Sequence, residues 1–193
     1  MELAELNPNL IYTYADYLKW TFQERVELLK GKIYPMSAPS REHQDLSSYI
    51  QGELYDYLKG KNCKVYAAPF DVRIPRKLKD DTDIITVLQP DICVICNKSI
   101  LDAKGCLGAP DIIVEILSPS NSVTELSNKY DIYLEAGVKE YWVVSPQNKT
   151  FLMYTLQDGK YIPSRLMVAG HSATSTVLNG FSLDLTALFN SMD

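Results

Sequence analysis

Two carboxylates stand where buried strands are expected, and their positions suit them to chemistry. Asp91 precedes the apolar run 92–96, and Glu115 lies within the apolar run 112–117. An ionised carboxylate in such a setting costs free energy unless it is paired, hydrogen-bonded or bound to a metal. Two carboxylates on neighbouring strands could share one hard cation, because such cations prefer oxygen ligands. The pattern therefore predicts a metal-dependent phosphodiesterase site.

Asp111 lies on the same predicted strand as Glu115 and offers an alternative partner. At about 3.3 Å per residue, four steps along a strand separate these two residues by roughly 13 Å. Carboxylate oxygens bind magnesium at about 2.1 Å, so this pair cannot share one ion. We therefore expect Asp91 to be the partner of Glu115, and Asp111 to be a hydrogen-bonding residue at the strand entry.

A phosphodiesterase site also needs a positive side chain near the attacking water. Lys129 lies on the helix predicted to follow the Glu115 strand. Glu125, Lys129 and Tyr133 share one face of that helix at i, i+4 and i+8. Spacing alone leaves two alternatives open for Lys129, a site residue or a surface pair with Glu125. Tyr133 is a candidate for contact with the substrate.

Glu27 and His43 are two further polar candidates. Glu27 alternates with Val26 and Leu28 in a predicted strand, so it either points into the molecule or lines a solvated face. His43 lies at the start of a predicted helix, where it could contact a phosphate, cap the helix or face solvent. Spacing settles neither residue.

The elements that must position these residues alternate between helical and strand patterns. Helices are predicted from the Thr13 cap to Trp20, over 42–58, over 123–136 and at the end of 181–189. Strands are predicted over 25–29, 32–36, 63–74, 87–96, 110–117 and 140–144, in a hairpin over 151–162 and at the start of 181–189. A loop is expected over 76–83, and a loop and helix start over 118–122. This order describes a mixed α/β (α+β) fold, with a central mixed β-sheet flanked by helices.

Composition sets broad limits on the function. A chain of 193 residues is expected to form a single domain over 1–193. The formal charge of −5 repels a phosphate backbone, so nucleic-acid binding would need a local basic patch, a metal or an oligomer. No membrane span is expected, and the acidic N-terminus lacks a signal-peptide pattern. We expect a cytoplasmic protein whose four cysteines are reduced and serve as small hydrophobic residues.

Several sequence blocks together resemble the Uma-type restriction endonuclease family, and they occur in family order over nearly the whole chain. These blocks are ELLKGKIYPMS at 27–37, Glu42-His43, Gln89-Pro90-Asp91, GAPD at 108–111, VEILSPS at 114–120, Lys129 and GVKEYW at 137–142.

The resemblance implies a restriction-endonuclease-like fold of the PD-(D/E)XK nuclease superfamily, with a Mg²⁺ or Mn²⁺ site. It assigns Asp91, Glu115 and the backbone carbonyl of Ile116 as metal ligands, with Glu27 as an additional acidic ligand. Leu117 stands where the superfamily has its lysine, and the family's lysine lies on the following helix. That places Lys129 in the catalytic role.

The resemblance also implies that the substrate and binding partner is a nucleic acid, with DNA expected ahead of RNA. The assembly is left open, with a homodimer as one option. Two rival functions remain. One is a nuclease fold that has lost its chemistry and serves in nucleic-acid binding or assembly. The other is a hydrolase that uses two carboxylates as acid and base, as glycosidases do. A metal requirement would separate that hydrolase from a nuclease.

Overall fold

The computed structural model describes residues 2–77, 79–119 and 123–193. Its helices are α1 (Tyr14–Tyr17), α2 (Arg41–Leu58), α3 (Val123–Ala136) and α4 (Leu185–Asn190). Its strands are β1 (Val26–Leu29), β2 (Lys32–Pro35), β3 (Lys64–Ala67), β4 (Val72–Ile74), β5 (Thr86–Leu88), β6 (Ile92–Ile95), β7 (Leu101–Asp102), β8 (Gly105–Leu107), β9 (Ile112–Ile116), β10 (Glu140–Ser145), β11 (Thr150–Gln157), β12 (Lys160–Pro163), β13 (Ser172–Thr174) and β14 (Ser182–Asp184).

The predicted mixed sheet is confirmed. The central sheet has the order β12-β11-β10-β9-β6-β3. Within it β9 and β10 pair in parallel, whereas the other neighbours are antiparallel. The helix α3 supplies the crossover between the two parallel strands, as such a connection requires. The fold class is therefore a mixed α+β fold with helices against its sheet.

Alternation along the strands sends successive side chains to opposite faces of the central sheet. Ile92 and Val94 join the core that contains the α2 stripe Leu46, Ile50 and Leu54. Cys93, Ile95 and Ile113 join the core beneath α3, with Ile132 and Tyr133. The sheet thus carries one apolar core on each face.

Two of the predicted strands were wrong in extent, because each proves to be two strands in different sheets. The segment 63–74 divides into β3 and β4, and the segment 87–96 divides into β5 and β6. Pro69 and Pro90 lie in the two interruptions, where proline cannot donate to a ladder. The second sheet that results, of order β2-β1-β5-β4-β8-β7, was not predicted.

Other expectations were partly met. The Thr13 cap is confirmed, since its hydroxyl accepts the Asp16 N–H, but α1 ends at Tyr17 rather than Trp20. The hairpin of β11 and β12 turns at Asp158-Gly159 as predicted. Of the loops expected over 76–83 and 118–122, residues 78 and 120–122 lie outside the described residues.

The cysteine prediction was wrong for two of the four residues. Cys63 and Cys96 form a disulfide, while Cys93 and Cys106 are buried free thiols. Antiparallel pairing of Lys64 with Ile95 places the flanking cysteines opposite each other. This register depends on tertiary pairing, which the spacing in sequence does not reveal.

Among the helices of the described residues, none combines the length and apolar character that crossing a membrane requires.

Candidate active site

Asp91 lies at the junction between the two sheets, between the end of β5 and the start of β6. The ladder pairs Ile92 with Val114, so one step outward Asp91 stands opposite Glu115. Directly opposed residues of an antiparallel pair project from the same face. The Ile116 N–H donates to Asp91 Oδ2 at 2.7 Å, and this bond fixes the Asp91 carboxylate at the end of β9.

Lys129 reaches this pair from α3. Its ammonium donates to Glu115 Oε1 and Oε2 at 3.1 and 3.2 Å and lies 3.0 Å from Glu27 Oε2. The Lys129 side chain is 5% exposed. A charge so deeply buried is tolerated because two carboxylates surround it. Lys129 is therefore not a surface partner of Glu125, which was the alternative that spacing left open.

Glu27 comes from β1 in the second sheet and is 2% exposed. Besides binding Lys129, it accepts the Gln89 backbone N–H at Oε1, at 2.7 Å. Its carboxylate thus holds both the lysine and the chain segment that leads into Asp91. The inward orientation is one of the two that the alternating pattern allowed.

His43 lies in the first turn of α2, where its N–H donates to the capping Ser40 hydroxyl. Its Nε2 is 3.1 Å from Asp91 Oδ1. Tyr133 differs from expectation, since it is fully buried and its hydroxyl donates to Glu115 Oε1 at 2.6 Å. Tyr133 is not among the residues that line the cavity described below, and it has no exposed surface for substrate contact.

Burial and charge shift the pKa values of these groups. Burial raises the pKa of Glu115, and the charges of Asp91 and Glu27 add to this, whereas Lys129 lowers it. Burial alone would lower the pKa of Lys129, but Glu115 and Glu27 outweigh it and raise the pKa above its ordinary value. Lys129 is therefore an ammonium at neutral pH. Burial also opposes protonation of His43, yet the bond to Asp91 and its charge raise that pKa overall.

The cluster opens into a cavity of about 280 Å³. Asp91, Glu115, Lys129, Glu27 and His43 all line it. The other lining residues are Arg25, Pro35, Met36, Ser37, Pro39, Gln44, Ser47, Ser48, Gln51, Ala67, Ala68, Gln89, Ile116, Ser118 and Glu125. Glu27, Asp91 and Glu115 form an acidic cluster, and the cavity joins this cluster to a polar face of α2. This arrangement can bring a solvated ligand to the carboxylates.

The residues present fit a magnesium or manganese ion. Asp91, Glu115 and the Ile116 carbonyl offer hard oxygen ligands, which these ions favour. Among the described residues, no three His, Cys, Asp or Glu side chains form a group that could hold a metal. An ion held by two carboxylates and one carbonyl would take its remaining ligands from water or from substrate phosphate, as Mg²⁺ usually does.

Sequence reasoning gave no role to Arg25 or to the Gln89 side chain. Arg25 stands two residues before Glu27, and residues two apart on a strand share a face. That spacing could have indicated Arg25. The Gln89 side chain gave no such signal, because its contacts come from distant segments.

The chain thus combines a mixed sheet with two carboxylates that oppose each other at one strand end and a buried lysine beside them. The family model described as "Putative restriction endonuclease", Uma2, matches residues 14–186. The chain belongs to this Uma2 family.

One sequence relative and one solved structure are also similar to the chain. An uncharacterized protein of Synechocystis sp. is 25% identical over 146 residues, which cover 74% of this chain and 73% of the relative. A crystal structure described as a putative nuclease from Anabaena variabilis aligns with a TM-score of 0.72 at 20% identity. That alignment covers 94% of this chain and 99% of the other, so the two share a fold over nearly their whole length.

Proposed function

We propose that this protein is an endonuclease that hydrolyses phosphodiester bonds in DNA with the help of Mg²⁺ or Mn²⁺. The observation that carries the proposal is the buried Lys129, held between Glu27 and Glu115 at the cavity that Asp91 also lines. A charged cluster of this kind is costly to bury for stability alone. Such groups gather where chemistry needs them, and family membership is in keeping with this chemistry.

Each residue has a role in this proposal. Asp91, Glu115 and the Ile116 carbonyl would hold the cation, which when bound polarises a phosphoryl oxygen and lowers the pKa of a bound water. The Lys129 ammonium would hold the attacking water and offset the negative charge that develops on the phosphoryl oxygens. Glu27 keeps Lys129 protonated and in place. His43 orients Asp91 through its 3.1 Å contact.

The first test is to titrate Mg²⁺ and Mn²⁺ into the metal-free protein by calorimetry and then assay cleavage of a closed circular plasmid and of RNA. We expect metal-stimulated nicking of the circle, because an endonuclease needs no free end. Asp91→Asn and Glu115→Gln should each lower the nicking rate by at least about a hundredfold, since loss of an outer partner of a ligand already costs about ten- to hundredfold.

A matched control is Asp158→Asn, which makes the same change in the exposed hairpin turn away from the cavity. It should nick at the rate of the wild type. Metal-independent nicking, or nicking that survives Asp91→Asn in well-folded protein, would contradict the proposal. A protein that neither binds the metals nor cuts would leave the chemically inactive module as the function.

A further inference from the structure

The cavity poses an electrostatic problem for the substrate of the proposed nuclease. Four carboxylates line it, those of Glu27, Asp91, Glu115 and Glu125. Lys129 lies between two of them and is almost fully buried. The molecule as a whole is also acidic, with a formal charge of −5. Besides the proposed metal ion, an exposed positive group on the cavity wall would favour the entry of a phosphodiester.

Arg25 is such a group. It is exposed and lines the cavity, and among the lining residues in the described part of the chain it is the exposed one with a permanent positive charge. It stands two residues before Glu27, directly before β1, where its carbonyl still accepts the Met36 N–H at 2.9 Å. At about 3.3 Å per residue this offset is roughly 7 Å along the chain. The guanidinium is therefore a neighbour of the acidic cluster without belonging to it.

The partner of Arg25 is a neutral group. Its Nε and Nη2 donate to Gln89 Oε1 at 3.2 and 2.6 Å. By contrast, the guanidinium groups of Arg41, Arg73 and Arg76 each pair with an aspartate. The contact with Gln89 fixes the position of the Arg25 guanidinium, leaves its charge uncompensated by that partner and uses two of its five N–H groups.

Gln89 is itself held in one orientation. It is 7% exposed, and its Nε2 donates to Asp71 Oδ1 at 2.8 Å and to the Tyr17 hydroxyl at 3.2 Å. Two acceptors at the amide nitrogen turn the amide oxygen toward Arg25. The Gln89 backbone N–H meanwhile binds Glu27, so one residue links the acidic cluster to the arginine.

We propose that Arg25 binds a phosphate group of the nucleic-acid substrate beside the acidic cluster, and that Gln89 is the positioning residue that holds it there. The proposal rests on the proposed function for the nature of the substrate. Arginine suits the task, since its planar fork can bind two phosphate oxygens at once. A guanidinium already ordered by Gln89 loses less side-chain entropy when the phosphate binds.

The test measures binding separately from cleavage. Fluorescence anisotropy reports the affinity of a short labelled DNA duplex in CaCl₂ at several salt concentrations. Calorimetry reports Mn²⁺ affinity, and the plasmid assay reports nicking. The variants are Arg25→Gln, Arg25→Lys and Gln89→Met, with Arg165→Gln as the control at an exposed position that does not line the cavity.

We expect Arg25→Gln to weaken DNA binding by about tenfold or more, because hydrogen bonds between charged groups are the strong ones. The slope of log affinity against log salt should fall by about one, as for the loss of one phosphate contact. Arg25→Lys should recover part of the affinity. Gln89→Met should lose an intermediate amount and keep its Mn²⁺ affinity, because Glu27 contacts the Gln89 backbone rather than its side chain.

Failure of this proposal can be distinguished from failure of the proposed function. Nicking and DNA affinity unchanged in Arg25→Gln would overturn the phosphate site and leave the nuclease standing. Binding that depends on Arg25 in a protein that never cuts would support the phosphate site and remove the nuclease. A wild-type protein that does not bind the duplex, or an equal loss in Arg165→Gln, would also overturn the phosphate site.

Discussion

Lys129 is the residue on which the proposed chemistry depends most. Its ammonium has one carboxylate from each sheet as a partner, Glu27 on β1 and Glu115 on β9. The two sheets thus meet at a single positive charge. In the proposed reaction that charge is already desolvated and in place before the substrate arrives, and this is the condition under which electrostatic stabilisation is most effective.

Removal of this charge is expected to lower turnover strongly and to spare the metal ligands. Lys129→Ala should lower the nicking rate by about a hundredfold or more, the loss seen when one preorganised donor is removed. Mn²⁺ affinity measured by calorimetry should persist, because the lysine is not a ligand. The buried carboxylates lose their partner, so stability should also fall by about 3–5 kcal/mol.

Two further variants keep that experiment interpretable. Lys129→Arg retains the positive charge and should fold better than Lys129→Ala while still cutting slowly, because the bulkier group displaces the water. Lys160→Ala removes an exposed lysine of the β12 hairpin and should change nothing. Wild-type nicking by folded Lys129→Ala protein would mean that the lysine has no catalytic part.

For single residues, the sequence indicated which side chains lie together more often than it indicated which contacts they make. Asp91 and Glu115 could be paired because the spacing along one strand excludes Asp111, and the structure places them opposite each other. The buried position of Tyr133 could not be foreseen, since helical spacing gives a face without saying what covers it. The metal-binding and catalytic roles of all these residues stay predictions.

At the scale of elements, Glu140 shows how a buried charge can serve structure. It begins β10 and is fully buried. It accepts hydrogen bonds from the Trp142 indole, the hydroxyls of Ser175 and Thr176 and the N–H groups of Thr176 and Val177. All these partners are donors, which is what an acceptor-only carboxylate requires. The loop at 175–177 is thereby tied to the central sheet.

Exchange of this carboxylate for an amide should destabilise the fold without touching the site. Glu140→Gln turns an NH₂ group toward donors, and the unsatisfied groups should cost about 1–3 kcal/mol. Urea denaturation followed by fluorescence measures the loss. Glu53→Gln, at an exposed position on α2, is the matched control and should be neutral. Mn²⁺ affinity should be kept in both variants. Unchanged stability of Glu140→Gln would contradict the prediction and would mean that the loop rearranges around the amide.

The elements were predictable where local pattern decides them and unpredictable where pairing does. The apolar stripe of α2 and the hairpin of β11 and β12 follow from spacing and turn chemistry. The separation of β5 from β6 does not, because both carry the same apolar signal. Pro90 was the clue to that break, and it stands directly before Asp91. The residue that interrupts the strand also delivers the carboxylate to the junction between the sheets.

At the scale of the whole molecule, the disulfide closes a long stretch of chain. Cys63 and Cys96 are 33 residues apart in sequence, and the stretch between them contains Asp91 and Gln89. Loop-closure entropy for this length corresponds to roughly 3–4 kcal/mol in the usual chain-entropy treatment. The bond lies at the end of β6 that is remote from Asp91, so it constrains the segment without contacting the site.

Reduction should therefore lower stability and leave the site chemistry in place. Alkylation of the unfolded, unreduced protein should modify two cysteines, Cys93 and Cys106, and prior reduction should expose all four. Mass spectrometry counts them. The double variant Cys63→Ser/Cys96→Ser should unfold at lower urea than the wild type, by at most roughly 3–4 kcal/mol, and should keep its Mn²⁺ affinity. Four reactive thiols without reductant would contradict the bond.

The position of Lys129 also bears on how the proposed nuclease would take up its metal ion. In many metal centres the ligands carry like charges that repel one another, so the site forms, or the chain folds, only when the ion binds. Here two of the acidic groups already have a resident cation belonging to the chain itself, at 3.0 and 3.1 Å. The site is therefore expected to form when the chain folds, without a bound metal ion. If the proposed function holds, the protein would be folded at low magnesium or manganese concentration, and the ion would be needed for the reaction and not for the fold.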